Sequence, residues 1–407
     1  MRPRKLIVTT LLVALIATAC SSSGSDSGSA AGGEAETASS ASSSQASGAS
    51  LPDGPSALDD RFDSAFPDPL INPDEIRSGG PPPDGIPPID DPQFVSVPVA
   101  DEWLSDTEPV LLLDIDGDVR VYPVQILMWH EIVNDVVGGE PVSITYCPLC
   151  NSAITFKRTI RGVETTFGTS GSLYVANLVM YDRATESLWN QLDGRAVVGV
   201  LTGEVLEQIS SPMVAWGDVR ESQPDALVLD RNRTGVSRSY GTNPYTGLDN
   251  PDGRPFLFSG DVDVRAKAMQ RIVAVETDAA AAAWALEAIA GTGAGPAVTT
   301  GAVGDDPVVL FWTPGQSSAL DKNNISDGRD VGSVGVFSPV LDGETLEFST
   351  DGDDIVDTGT GSTWNVLGEA VAGELVGSQL TPVVFVRTFW FSWSTFRPDT
   401  TLVDNLG

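Results

Sequence analysis

Histidine is almost absent from this chain: His130 stands alone among 407 residues. With that one side chain already adjoining a cysteine motif, no Ser-His-Asp arrangement can be built. Cysteine is nearly as scarce, at Cys20, Cys147 and Cys150. A closed structural zinc site wants four ligands, usually Cys and His, and the body of the chain offers three. Basic residues are outnumbered, 23 Lys and Arg against 56 Asp and Glu, for a net charge of −33. Nucleic acid and anionic membrane surfaces would repel such a chain and are excluded as partners. The acids are scattered rather than massed, which reads as a solvated surface. No apolar run approaches the ~20 residues that span a bilayer.

What is present begins at the N-terminus. Arg2, Arg4 and Lys5 precede a short apolar stretch, Leu6 to Ile16, which ends at Ala17-Thr18-Ala19-Cys20. That order reads as a signal peptide closing on a lipobox over 1–20, with Cys20 as the lipidated residue. Residues 21–60 are dominated at first by Ser, Ala and Gly, too poor in apolar surface to fold, and read as a tether. The expected location is outside the cytoplasm, on a cell membrane, with the lipid as the only membrane contact.

The remainder carries a degenerate internal repeat. Val137-Gly138-Gly139-Glu140-Pro141-Val142 leads to Cys147-Pro148-Leu149-Cys150-Asn151-Ser152-Ala153. Val303-Gly304-Asp305-Asp306-Pro307-Val308 leads at the same spacing to Thr313-Pro314-Gly315-Gln316-Ser317-Ser318-Ala319. Thr185-Glu186-Ser187-Leu188-Trp189-Asn190 matches Thr360-Gly361-Ser362-Thr363-Trp364-Asn365, and Trp216 with Pro224-Asp225 matches Trp390 with Pro398-Asp399. Two homologous units follow, 68–245 and 262–404. Residues common to both serve the framework, whereas His130, Cys147 and Cys150 occur only in the first.

Strand signals dominate. Val110 to Asp114 and Val119 to Tyr122 alternate around Asp116-Gly117, a hairpin pattern, and Pro123 opens a short helix through Met128. Ser152 to Lys157, Val163 to Phe167 and Leu178 to Tyr181 read as strands. Gly168-Thr169-Ser170-Gly171 reads as a turn, and Asp278 caps an alanine-rich helix to Ala290. The fold class is α+β, predominantly antiparallel β, with two degenerate β-rich units packed together. Residues 130–137 fit a helix or a strand; the extended look of the matching Pro296 to Thr300 favours a hairpin turning at Gly138-Gly139. Counting outward from that turn sets His130 opposite Cys147, within ~4.5–5.5 Å at Cβ.

Three chemistries remain open for Cys147, Cys150 and His130. They can bind a transition metal, copper before zinc or iron, with Glu131 or Met180 completing the set. They can form a thiol–disulfide centre, with His130 lowering the thiol pKa, although the helix start of thioredoxin-like sites is missing. Or Cys147–Cys150 is a plain disulfide staple in a non-catalytic envelope or solute-binding protein. The motif excludes c-type haem, since Asn151 stands where attachment needs histidine. Asn134, Asp135, Tyr181, Asp182, Arg183 and Gln191 are candidates to line a pocket, with Asp182 and Arg183 also readable as an ion pair. That pocket is expected between the two units.

These segments carry a resemblance. Asp84-Gly85-Ile86-Pro87, Trp129-His130-Glu131-Ile132-Val133-Asn134-Asp135, Thr145-Tyr146-Cys147-Pro148-Leu149-Cys150, Phe167-Gly168-Thr169-Ser170-Gly171, Leu178-Val179-Met180-Tyr181-Asp182-Arg183 and Leu188-Trp189-Asn190-Gln191 resemble the domain-of-unknown-function 3179 family from Asp74 to about Tyr245. Asn151 stands where that family usually has glycine. The resemblance implies a shared fold and site, and no activity.

Overall fold

The computed structural model describes residues 49–404. The signal peptide, Cys20 and most of the tether lie outside the described residues. The tether ends earlier than its composition suggests. Ala57 is buried against Val179, Leu188 and Val198, because Leu51, Leu58 and Phe66 bring enough apolar surface for the chain to pack before residue 60.

One strand plan occurs twice. In the first half Pro109–Ile115 and Asp118–Pro123 form a hairpin, and the positive φ values of Asp116 and Gly117 match its twist. Met213–Ala215 pairs antiparallel with the first of these strands, and Leu227–Leu229 pairs parallel with the second. In the second half Arg271–Glu276 and Ala281–Ala285 pair in the same way, flanked by antiparallel Val386–Phe389 and parallel Thr401–Val403. A three-stranded meander follows each hairpin: Ile132–Val137, Glu140–Cys147 and Ser152–Lys157, then Ala297–Val303, Asp306–Thr313 and Ser333–Phe337. Each half also has a four-strand run, Phe167–Tyr174 through Arg195–Val198 and Phe348–Asp351 through Ala370–Ala372. The architecture is α+β with antiparallel sheet predominant, since only short helices interrupt the strands.

The repeated Thr-x-Ser-x-Trp segment closes the same turn in both halves. Asp182 accepts from Thr185 N (2.7 Å), Thr185 Oγ1 (2.9 Å) and Trp189 Nε1 (2.9 Å). Asp357 accepts from Thr360 N (2.7 Å), Thr360 Oγ1 (2.8 Å) and Trp364 Nε1 (3.2 Å). Both carboxylates are fully buried, and both tryptophans anchor the core. Gly199 and Gly373 pass the two serines so closely that a Cβ would lie 2.6 Å from Ser187 Oγ and 2.6 Å from Ser362 Cα. A side chain cannot fit at either position.

The halves share their core. One apolar cluster joins Ile144, Cys147, Cys150 and Trp189 to Ile272, Phe389 and Trp390, and another joins Val110 and Trp216 to Phe311 and Trp364. Two smaller clusters stay within one half each, around Ile76, Val179 and Val198 in the first and around Val273, Trp284 and Leu310 in the second.

Three local expectations need correction. The alanine-rich stretch is not one helix: Ala281–Ala285 is a strand and only Leu286–Ala290 is helical. Packing overrides alanine's helix preference, because the strand sets Trp284 against Gly301, where a Cβ would come within 2.7 Å of the indole. Residues 168–171 belong to the strand Phe167–Tyr174, whose register shifts between Thr169 and Ser172. Gly171, with φ +72°, marks a bulge there rather than a turn. Pro123 is the N-cap of the helix Val124–His130 rather than its first residue.

Candidate functional site

The Cys-Pro-Leu-Cys segment is the tight connection between Glu140–Cys147 and Ser152–Lys157, with Cys147 opposite Ser152. Asn151 N–H donates to Pro148 O at 3.2 Å and Asn151 has φ +53°. Asparagine tolerates this left-handed conformation better than most residues, which explains how it fills a position where glycine is common.

Cys147 and Cys150 stand as free, buried thiols within hydrogen-bonding reach of each other. Both Sγ atoms lie toward Ala176 O, at 3.8 and 3.3 Å. Their environments differ. Burial, followed by its bond to Cys150, pushes the Cys147 thiol well up. Burial also works against the Cys150 thiolate, but donors from Cys147, Ser392 and Asn177 outweigh it and hold that thiol below its ordinary value. Asn177 Nδ2 is 3.5 Å from Cys150 Sγ. Ser392 Oγ has no nitrogen or oxygen partner among the described residues and faces the sulfur.

The second half holds the motif in place. Thr388 Oγ1 and Phe389 N donate to Cys150 O at 2.8 and 3.1 Å. Gln191 fixes the other side: its Oε1 accepts from Ser152 Oγ at 2.8 Å and from Asn177 Nδ2 at 3.3 Å. Its Nε2 donates to Thr145 Oγ1 at 3.0 Å. Gln191 therefore orients Asn177 rather than lining a pocket.

Of the two thiols, only Cys147 borders open space. It meets a cleft of about 120 Å³ with Glu131, Ile86, Leu149, Leu178 and Tyr245, closed by Phe256 and Leu257. These last two come from the segment that connects the halves, so the cleft is not the interunit pocket expected above. Glu131 follows the last residue of the helix Val124–His130 with φ +59°. A buried non-glycine residue held at positive φ stores roughly 1–3 kcal/mol of strain. Burial, and then the nearby Cys147, pushes its carboxyl up to about 8. Among the described residues, no group hydrogen-bonds to that carboxyl.

His130 does not join the thiols. The strand ladder does continue outward, since Tyr146 N donates to Glu131 O at 2.8 Å. His130, however, is the end of a helix, and its ring turns away. Nδ1 lies 2.8 Å from Pro87 O and Nε2 lies 2.7 Å from Tyr240 Oη. A carbonyl only accepts, so Nδ1 carries the proton and Tyr240 donates to Nε2. Burial lowers the His130 pKa, and the neutral ring serves as a brace. Among the described residues, no three His, Cys, Asp or Glu side chains gather as a metal set.

The remaining candidates scatter through the framework. Met180 is buried in the core beside Trp189. Asn134 bonds Asp90, Ser143 and Phe167, and Asp135 accepts from Tyr122 Oη at 2.6 Å. Tyr181 and Arg183 converge on Asp84, at 2.8 and 3.1 Å, and Arg183 also pairs with Asp90. Asp182 does not pair with Arg183; it holds Thr185 and Trp189. None of these six lines the cleft. Sequence reasoning missed Asn177, Thr388 and Ser392, whose distance along the chain leaves no local signal. Tyr245 entered there only as the approximate end of the resemblance.

Fold and site together define a class: a duplicated, mainly antiparallel β protein with a buried dithiol on one of its two related meanders. The chain belongs to the family described as protein of unknown function (DUF3179), whose model matches residues 83–400. The match runs well past Tyr245, so the family's domain includes the second half as well as the first. No curated protein and no solved structure matches the chain.

Proposed function

We propose that the cleft is the reaction site of a redox dithiol, in which Cys147 exchanges with a disulfide and Cys150 resolves the product. The observation that carries this reading is the inequality of the thiols: Cys147 borders the cleft, while Cys150 lies behind it with donors aimed at its sulfur. Cys147 gives up its proton and bonds to one sulfur of the substrate; the other sulfur leaves as a thiol carrying that proton. The Cys150 thiolate then attacks Cys147 Sγ. The second substrate thiol departs with a proton from the Glu131 carboxyl, and a Cys147–Cys150 disulfide remains. The protein loses two electrons and the substrate disulfide gains two.

A copper, zinc or iron centre on Cys147, Cys150 and His130 has less support, because the His130 ring is spent on Pro87 and Tyr240. The inert staple also has less support, since it gives no reason for a strained acid beside Cys147. The same reading sets the protein outside the cytoplasm on a lipid at Cys20, supported by the basic, apolar and small-residue order of 1–20. Cys20→Ala is expected to move the protein from the membrane to the soluble fraction of its native host; unchanged partitioning would refute the anchor.

The test of function is equilibration of the full chain with mixtures of reduced and oxidised dithiothreitol, followed by alkylation, peptide mapping and elemental analysis. One reversible two-electron transition linking Cys147 to Cys150, without stoichiometric metal, is expected. Thiols that stay reduced across the range would sink the proposal. So would one equivalent of copper, zinc or iron that is lost in Cys147→Ala.

A further inference from the structure

The walls of the cleft say what kind of disulfide could enter. Ile86, Leu149, Leu173, Leu178, Phe256 and Leu257 supply an apolar surface, and among the described residues no Lys, Arg or His lines it. Its ionisable groups are Cys147, Tyr245 and Glu131, each of which becomes an anion when it ionises. Charge on a ligand would have to leave water for this lining with no cation to meet it. The chain as a whole adds a net −33, which disfavours approach by anions from a distance. Glu131 is placed to enforce the rule at close range. Its backbone is pinned at both ends, N–H to Leu127 O and C=O from Tyr146 N, each at 2.8 Å, yet its carboxyl has no protein partner among the described residues.

From this we infer that the site takes a small, neutral, largely apolar disulfide and turns away anionic ones, with Glu131 as the residue that sets the filter. The inference rests on the dithiol reading and narrows it to a substrate class. A neutral ligand meets a protonated carboxyl that can donate a hydrogen bond as a thiolate leaves. A carboxylate-bearing ligand must desolvate its charge beside an acid and a thiol. The same geometry disfavours tripeptide disulfides such as oxidised glutathione, which are both anionic and too bulky for a space of about 120 Å³.

Two probes of similar size separate charge from shape: bis(2-hydroxyethyl) disulfide, which is neutral, and dithiodiglycolate, which is a dianion. The rate of each with the reduced full chain, read by mass spectrometry at pH 7, is divided by its rate with N-acetylcysteine amide, a thiol without a carboxylate. That division removes the intrinsic reactivity of the reagent. The neutral probe is expected to exceed the dianion by about a hundredfold in this ratio. Above pH 8 the gap should widen in the wild type, where Glu131 ionises, and stay flat in Glu131→Gln. Equal ratios for the two probes would overturn the filter while leaving the dithiol reading intact. If neither probe reacts with the native chain, yet both react after unfolding, the dithiol reading itself fails and the filter falls with it.

Discussion

Cys147→Ala is expected to abolish reaction of the native chain with small disulfides, a fall of about a thousandfold or more, as when one member of a catalytic unit is removed. The expectation follows from access. Cys150 has no exposed surface and its sulfur is enclosed by Asn177, Ser392 and Ala176, so it cannot stand in for the missing nucleophile. Cys150→Ala should behave differently. The first exchange continues at Cys147, and the chain then stalls as a mixed disulfide because nothing resolves it. His130→Ala is the informative control. Removing the brace between Pro87 and Tyr240 should lower Tm, while the rate at Cys147 stays within about twofold, since the imidazole touches neither thiol. Stopped-flow rates on the three variants, with Tm measured in parallel, check all of this. A His130→Ala variant that folds normally but reacts a hundredfold more slowly would restore the histidine to the site.

Asp182→Ala and Asp357→Ala should each lose roughly 3–5 kcal/mol of stability, because each removal orphans several buried neutral donors at once. In both cases a carboxylate with no exposed surface holds a threonine turn and an indole N–H. Alanine leaves those donors buried without an acceptor, at about 1–3 kcal/mol for each orphaned group. For a chain of this size the loss lowers Tm by roughly 4–7 °C. Because the two largest apolar clusters both span the halves, each variant should still melt in a single calorimetric transition. Two separated transitions would show that the halves fold as independent units.

Low pH bears on stability through Glu131. Its carboxyl is pushed up to about 8 in the fold, against an ordinary value near 4.5. Between those values the folded state binds more protons than the unfolded one. Stability is therefore undiminished below the unfolded value, falls as pH rises through this window, and levels off above it.

The duplication was legible because its markers are framework residues whose chemistry is local. Asp182, Thr185 and Trp189 bond one another within seven residues, as do Asp357, Thr360 and Trp364, so the pattern survives where the surrounding sequence has drifted. The Gly138-Gly139 hairpin was legible for a similar reason, since turn chemistry fixes register. That same counting also misled. It carried the ladder correctly to Glu131 and Tyr146, but a strand count assumes strand backbone. Glu131 at φ +59° and the helix ending at His130 break that assumption, and the imidazole swings toward Pro87. The donors around Cys150 could not be read at all. Asn177 and Ser392 reach the sulfur through tertiary packing, and neither sits in a motif that hints at it. Sequence offered Glu131 as a metal ligand; the structure sets it as an acid facing a cleft, its carboxyl without a hydrogen-bond partner among the described residues. The alanine stretch failed because helix propensity is weak beside the sheet pairing that Trp284 and its neighbours gain.

The most direct test of the dithiol account is capture of its intermediate. The full chain carrying Cys150→Ser is treated with bis(2-hydroxyethyl) disulfide, and the adduct is located by peptide mass spectrometry. The account predicts one persistent mixed disulfide on Cys147 in this variant. In the wild type the same adduct should pass on to a Cys147–Cys150 disulfide with release of two thiols. An adduct that never forms at Cys147, or a wild-type adduct that persists without passing to Cys150, would contradict it.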